Sequence, residues 1–259
     1  DGIRDGTVTG VQTCALPISW FCPTTVEEKV GGKLTMDMGP GMETHATMTA
    51  WEPPRRFAAE APGWMPGMPP VATEWTVEAR AGGKCLVRVV HSLFASTDDW
   101  DNQLEGTETG WPGFFNILRL YLTHFAGQRC SPVRVIAMIP GTEEQAWQKL
   151  TTAMGLHGAG PGKRASAPAG VPAFSGVIES VSDKPKMYDL LMRIDSPAPG
   201  ALAIGSYDCG GMVMACIVLF LYGDAAAPVA KREEPLWQAW IAQQFPQPQA
   251  EAGAAVTGA

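Results

Sequence analysis

The feature that most constrains this chain is one long amphipathic segment, residues 107–125, which comes directly after a series of short strand-like segments. Asn116, Arg119 and Thr123 form a narrow polar stripe on one side of it. Large apolar side chains recur at helical spacing on the opposite side: Trp111, Phe114, Leu118, Tyr121, Leu122 and Phe125. This pattern predicts an amphipathic helix, with Pro112 in its first turn because proline is tolerated only there. The prediction is an α+β fold, in which an antiparallel sheet wraps around a helix and leaves room for a ligand.

The segments before this helix alternate between apolar and polar residues, as half-buried strands do. Within one of them Trp75, Val77 and Ala79 should face inward, and Gly82 and Gly83 should make the next hairpin turn. Asp37, Glu74 and Glu78 should face solvent, whereas the face of His45 is ambiguous. We predict five strands, at residues 33–38, 44–51, 57–61, 73–79 and 85–94.

A second unit repeats the order of strands, a glycine-rich break and a closing helix. Residues 129–132 are interpreted as a linker. Thr142 and the acids after it suit a helix start, with Trp147, Leu150 and Met154 on the apolar face. The remaining strands are predicted at residues 133–139, 174–181, 187–194, 201–207 and 212–222, the longest loop at 155–172, and the closing helix at 233–245. The tail, residues 247–259, is rich in Gln, Pro and Ala, and we expect it to be disordered.

Residues 1–19 have no periodicity and differ in composition from the rest of the chain. The stretch GVQTCALPI, residues 10–18, looks like a translated sequencing adapter joined in frame to a truncated gene. An ordinary flexible leader is the alternative interpretation. We therefore expect native sequence to begin near Trp20, partway through a first unit that lacks the strand and helix with which the second unit opens.

Composition bounds the function. The chain is 46% hydrophobic and 17% charged, which favours a folded chain with generous cores. A net charge of −7 argues against nucleic acid as a partner. The longest apolar run, residues 212–222, is about half the ~20 residues that a membrane-spanning helix needs. No secretory signal is visible, and the six cysteines show neither C-x-x-C pairs nor histidines at ligand spacing. We expect a cytoplasmic protein with free thiols, no metal and no cofactor.

Several stretches, taken in order, resemble one superfamily. They are WF at 20–21, VGGKLTMDM at 30–38, AWEPPRRF at 50–57, VRVVHSLF at 87–94 and GTETGWPGFFNILRLYL at 106–122. Together they resemble the SRPBCC superfamily, the START and Bet v 1-like helix-grip proteins, and within it the branch named after the activator of heat-shock protein 90 ATPase. The resemblance implies an antiparallel sheet gripping a long C-terminal helix, often around an apolar cavity. It covers residues 20–127, and the second half resembles the same fold more faintly. We therefore predict two tandem helix-grip units, at residues 20–128 and 132–246.

His91 is the most informative polar residue, because alternation places it on one face with Val87 and Val89. It could hydrogen-bond a ligand carbonyl or hydroxyl, or act as a base; the plainer interpretation is a core histidine satisfied by a neighbour. Methionine and aromatic residues on the strands suit an adaptable apolar wall, although ordinary core packing would use the same residues. The predicted ligand-binding residues are Met36, Met38, Met48, Trp51, Trp75, Val89, His91, Trp111, Phe114, Leu118 and Tyr121. No residue is assigned as catalytic.

The leading hypothesis is noncatalytic binding of a small hydrophobic molecule between the sheet and the 107–125 helix. A protein-interaction module, as the co-chaperone resemblance suggests, and a polyketide cyclase-like enzyme are the alternatives. Leu120 lies beside the polar stripe of the helix. We expect the other half of the chain or a second copy in a homodimer to cover it, unless it is simply a single exposed leucine.

Overall fold

The fold is known from a computed structural model, which describes residues 20–37, 43–63, 69–81, 84–94, 101–209 and 211–246, with backbone only at 84 and 101–110. The adapter-like segment 1–19, Met38, the predicted turn at 82–83 and the tail 247–259 lie outside the described residues.

The first half of the described chain forms a six-stranded antiparallel meander and then a long helix. In sequence order the strands pair with their neighbours, and β6 lies at one edge. All five predicted strands are present, and β1 is additional. The elements are β1 (Thr24–Val26), β2 (Lys33–Asp37), β3 (Glu43–Glu52), β4 (Arg56–Ala61), β5 (Val71–Arg80), β6 (Lys84–Leu93) and α1 (Asp101–His124).

Helix α1 begins earlier than its apolar pattern predicts, and Pro112 therefore lies inside it and not in its first turn. Proline in a helix interior removes one hydrogen bond to the carbonyl group four residues earlier. Pro112 is exposed. The proline ring therefore lies on the solvent side of the helix.

The second half forms another six-stranded antiparallel sheet, in the order β7-β12-β11-β10-β9-β8. Its first strand begins at Cys130, so the predicted linker at 129–132 is wrong except for its first residue. The closing helix begins at Ala226, and Pro235 lies inside it on the exposed side. The elements are β7 (Cys130–Ile139), α2 (Glu143–Ala153), β8 (Arg164–Ser166), β9 (Ser175–Lys184), β10 (Met187–Ser196), β11 (Gly200–Asp208), β12 (Val213–Tyr222) and α3 (Ala226–Gln244). The predicted loop at 155–172 thus contains one short strand.

The start of α2 is fixed by the residues that the sequence indicates. The backbone N–H of Gln145 donates to the Thr142 hydroxyl, and the Thr142 backbone N–H donates to the Gln145 side chain, each at 3.2 Å. This capping box satisfies two backbone donors that the first helical turn leaves without partners. Trp147, Leu150 and Met154 are buried, as predicted.

The inner face of the first sheet is set by its cross-strand register. Phe57 pairs with Trp75, and Trp75 pairs with Val89, so these three side chains lie in one row on one face. Thr73 and His91 form the next row on the same face. Ala79 shares this parity but is exposed, contrary to expectation, because it lies next to the hairpin end of β5.

Helix α1 packs between the two sheets. Its aromatic side contacts the inner face of the first sheet, whereas Ile117 and Leu120 pack with Leu191, Ala201 and Phe220 of the second sheet. Leu120 is only 5% exposed, which confirms the predicted second cover and identifies it as the other half of the chain. The opposite face of the second sheet is covered by α2 and α3. The layers are therefore sheet, helix, sheet and helices. Among the described helices, none is long and apolar enough to cross a membrane.

Candidate functional site

The inner face of the first sheet and α1 enclose a continuous cluster of aromatic rings, here called the aromatic groove. The ring centroids of Trp75 and Trp111 are 5.4 Å apart in an edge-to-face arrangement, and those of Phe21 and Phe114 are 4.5 Å apart. Such geometries are favoured because the positive edge of one ring meets the negative face of the next. The rings of the groove are Trp20, Phe21, Trp51, Phe57, Trp75, Trp111, Phe114 and Phe115.

The aromatic groove is graded from a buried floor to a half-exposed wall. Trp20 is 0% and Trp75 is 4% exposed, so both belong to the floor. Trp111, Phe114 and Phe21 are only partly buried, although they touch the same cluster. The apolar surface of the wall is therefore within reach of a molecule from solution.

His91 supplies polar atoms to this apolar wall. Its Nδ1 lies 2.9 Å from the hydroxyl oxygen of Thr73, its cross-strand partner. Its ring stacks on that of Trp111, with centroids 5.3 Å apart and planes inclined by 22°. Burial lowers the pKa of His91 to about 4, because the apolar surroundings disfavour the charged form. The imidazole is consequently neutral near pH 7.

The described residues of the predicted ligand-binding set all belong to the hydrophobic cluster around α1 or contact it. Only some of them line the aromatic groove. Trp51, Trp75, Val89, His91, Trp111 and Phe114 line the groove, and Met36 packs beside it. Met48 and Leu118 are fully packed core residues. Tyr121 contacts Tyr222 of the second sheet, with ring centroids 5.3 Å apart, and its hydroxyl accepts a hydrogen bond from the backbone of Gly127.

Five groove residues lie outside the set that the sequence predicted: Trp20, Phe21, Phe57, Thr73 and Phe115. Thr73 is recoverable from alternation, because it lies two residues before Trp75 on the same predicted strand. Phe57 is likewise the first large residue of its strand. Trp20 and Phe21 precede β1, and no periodicity marks residues there as inward-facing.

The outer face of the first sheet is polar. His45 lies there, with Nδ1 3.2 Å from the Thr35 hydroxyl oxygen, which answers the ambiguity about its face. Arg56 forms ion pairs with Glu52 at 2.7 Å and Glu74 at 2.6 Å. Glu78 and Asp37 are exposed as well. This face is solvated, as the alternation predicts.

The described cysteines are free thiols: Cys22, Cys85, Cys130, Cys209 and Cys216. Burial raises the pKa of Cys22 to about 11 and that of Cys130 to about 12, so both are protonated thiols of low reactivity at neutral pH. Within the part of the chain that the structure describes, no three His, Cys, Asp or Glu side chains come together as a metal site.

The comparison with solved structures finds distant likenesses in fold. The crystal structure of CalU16 from Micromonospora echinospora is 17% identical, covering 47% of this chain and 68% of its own, with a TM-score of 0.37. DynU16, described as a putative protein in the dynemicin biosynthetic locus, is 16% identical, covering 93% and 91%, with a TM-score of 0.38. The di-domain ARO/CYC BexL from the BE-7585A biosynthetic pathway is 9% identical, covering 93% and 95%, with a TM-score of 0.40.

The comparison with protein families matches the first half of the chain. Residues 16–123 match the family described as Activator of Hsp90 ATPase homolog 1-like protein. No curated protein matches. The matched stretch contains the whole first sheet and all but the last residue of α1. The family resemblance that the sequence predicts is thereby confirmed for residues 16–123.

Proposed function

We propose that the aromatic groove binds a small, flat, apolar molecule and that the protein does so without chemical conversion of it. The observation that carries this proposal is the position of Trp111. Its ring is half-exposed, stacks on His91 and meets the buried ring of Trp75 edge to face.

The physical argument is that half-exposed aromatic surface gains from being covered. Apolar surface removed from water contributes about 25 cal/mol per Å². The inner residues of β6, Val87, Val89 and His91, are all half-buried, so the groove reaches solvent along this strand. A flat ligand that enters there would stack on Trp111 and cover the side chains of β6 together.

The His91 and Thr73 side chains would orient such a ligand. Small-molecule sites are mostly apolar with a few placed polar groups, and this pair provides them. Because the imidazole is neutral, it can hydrogen-bond a ligand hydroxyl or carbonyl without bringing a charge into the groove. A phenol or aromatic ketone fits this combination of a flat apolar body and one polar group.

The finer architecture forms part of the same proposal: two tandem helix-grip units, at residues 20–128 and 132–246. The support is that each sheet of the described chain precedes a long helix, and that each helix packs on its own sheet. In this arrangement α1 is the gripped helix of the first unit and α3 that of the second.

A cyclase-like reaction in the same groove would need His91 as a base. A pKa of about 4 makes its imidazole a weaker proton acceptor at neutral pH than an ordinary histidine. The lowered pKa of His91 therefore favours binding over proton transfer.

The test is calorimetric titration of the full chain with 2-naphthol, a flat molecule with one hydroxyl group. We expect saturable binding by the wild-type protein and at least about fivefold weaker binding by Trp111→Ala, since loss of a stacked ring costs about 1–3 kcal/mol. Phe94→Ala is the matched control, because Phe94 is an aromatic residue that is 60% exposed and lies outside the aromatic cluster.

A circular dichroism melt of each variant separates lost binding from lost folding. His91→Phe keeps a stacked ring but removes the imidazole, so it should weaken 2-naphthol binding while leaving the fold intact. Equal affinity in wild type, Trp111→Ala and His91→Phe would contradict the proposal.

A further inference from the structure

The contact between α1 and the second sheet changes character along the helix. At the C-terminal end it is apolar and tightly packed, with Phe125 stacked on Tyr222 at 4.5 Å between ring centroids. Toward Gly113 it becomes polar and half-buried. This part, called here the polar cleft, is formed by Ser180, Ser182, Asp189, Gly205 and Tyr207 of the second sheet beneath Gly113 of α1.

The cross-strand register gathers these groups in one place. Ser182 pairs with Asp189, and Asp189 pairs with Gly205, so the three form a row on the face toward α1. A Cβ atom at Gly205 would collide with the Tyr207 ring and hydroxyl, so the phenol lies folded over this glycine. The Tyr207 hydroxyl thus lies beside the strand that carries Asp189. A Cβ atom at Gly113 would lie 3.9 Å from Asp189 Oδ2, which places α1 directly over the carboxyl group.

Two hydroxyl groups of the cleft lack the hydrogen-bond partners that buried groups normally have. The hydroxyl oxygens of Ser180 and Ser182 are buried and make no hydrogen bond within the described chain. Most buried polar atoms in folded proteins are hydrogen-bonded, so two adjacent exceptions call for an explanation.

Asp189 likewise has no ion pair among the described residues. Arg134, on the same face of the sheet, donates instead to the Phe21 carbonyl oxygen at 3.1 Å. Burial raises the pKa of Asp189 to about 6, with no cation to offset it. At pH 7.5 the carboxyl group is nonetheless ionised, so the cleft holds an unpaired negative charge.

We propose that the polar cleft is a binding site for the primary ammonium group of a small molecule. A carboxylate and three hydroxyl oxygens form a set of acceptors, and an ammonium group offers three donors. A desolvated carboxylate without a partner is unfavourable, and a charge-assisted hydrogen bond to a cation relieves it. Asp189, Ser182 and Tyr207 are half-buried, so each keeps part of its surface within reach of an amine from solution. The cleft lies on the opposite side of α1 from the aromatic groove and is independent of it.

The test compares three ring compounds of similar size by two-dimensional amide NMR of the full chain at pH 7.5: benzylamine, benzyl alcohol and benzoate. We expect saturable shifts from benzylamine at Gly113, Ser182 and Gly205. Benzyl alcohol should bind about tenfold more weakly, since it lacks the charge, and benzoate should cause no shifts there.

Two variants of matched charge locate the effect. Asp189→Asn should weaken benzylamine binding by about tenfold or more. Asp183→Asn, an exposed aspartate on the opposite face of the same hairpin, should leave it unchanged. Ser182→Ala should weaken binding by a smaller factor, and Trp111→Ala should have no effect, which keeps this result separate from that of the aromatic groove. No saturable shift from benzylamine, equal binding of amine and alcohol, or equal affinity in Asp189→Asn and wild type would overturn the proposal.

Discussion

The last strand in sequence of each sheet, β6 in the first and β12 in the second, differs in how completely neighbouring strands and helices cover it. Strand β12 pairs with β11 on one side and β7 on the other, and nine of its ten residues are buried. Strand β6 pairs with β5, and no second partner strand is found among the described residues. Its inner residues Val87, Val89 and His91 are all half-buried.

The difference arises from one additional strand, β7, which pairs with β12 in the second sheet. In the second unit, β7 completes the sheet beside β12 and contributes Val133, Val135 and Ala137 to the core under α3. In the first half, no described strand covers the free edge of β6, and the inner residues of this strand stay partly exposed. We therefore expect the second half to be the more stable part of the molecule, and we propose the first half as the part that offers the ligand site.

The largest expected effect tests this contrast directly. Leu219→Ala, in the fully buried centre of β12, should lower the free energy of unfolding by about 2–5 kcal/mol, as large-to-small core substitutions do. Val89→Ala, in the half-buried β6, should lower it by about 1 kcal/mol or less, because the site is open and leaves no closed cavity. Urea unfolding of both variants provides the measurement.

Comparable losses in the two variants would mean that the inner face of β6 is packed as tightly as that of β12. The contrast between an open and a closed unit would then be wrong.

A smaller effect should come from His91 as the pH falls. Its pKa is lowered to about 4 in the folded protein, so between about pH 6.5 and 4 the unfolded chain binds the proton more readily. The stabilising effect is fully present above pH 6.5 and is lost as the pH falls. We expect wild type to lose about 1–2 kcal/mol more stability than His91→Asn between pH 7 and 4, allowing for partial exposure of the ring.

Denaturant unfolding of both proteins at several pH values measures the difference. Parallel pH profiles for wild type and His91→Asn would show that the histidine is as well solvated as one in an unfolded chain.

The sequence predicts most of the fold, because its strands and helices carry clear patterns. Alternation identifies β2, β3, β5 and β6, and the Thr142 signal identifies the start of α2. The errors occur where a local rule is overridden. Pro112 lies inside α1 and does not mark its beginning, and Pro235 lies inside α3. Both helices accommodate a proline because each proline ring faces solvent.

The candidate site is only partly predictable, because its parts come from segments distant in sequence. The alternation around His91 predicts its inward face correctly. Trp20 and Phe21 join the groove from an irregular segment, and only the tertiary structure shows this. Asp189 interrupts the apolar run YDLLM of β10, which is a visible signal, but the sequence does not reveal that α1 would cover it.

The polar cleft allows a third comparison, between the stability of the wild-type protein, which carries Asp189, and that of the neutral variant Asp189→Asn. The pKa of Asp189 is raised to about 6, so between about pH 3.8 and 6 the folded state holds the proton more readily, and stability falls as the pH rises. Asp189→Asn should therefore be more stable than wild type by about 1 kcal/mol at pH 7.5, with the difference vanishing below pH 4. Thermal unfolding at both pH values tests this, and a variant less stable than wild type at pH 7.5 would contradict it.

The smallest effect belongs to the solvated outer face of the first sheet. Arg56→Gln removes ion pairs with Glu52 and Glu74, but the Glu52 side chain is 61% exposed and those of Arg56 and Glu74 are each more than a third exposed. Exposed ion pairs contribute little because water and salt screen them. We expect its urea unfolding midpoint to match that of wild type within error, and a clear shift would indicate a structural role for this face.

The central claim is that the open first unit, and not the closed second unit, accepts an apolar ligand. It is tested most directly by mapping amide chemical-shift changes on the full chain during titration with 2-naphthol. The account predicts saturable changes along β5, β6 and the segment of α1 around Trp111, with β12 and α3 unaffected. Saturable changes confined to β12 and α3, or none at all, would contradict it.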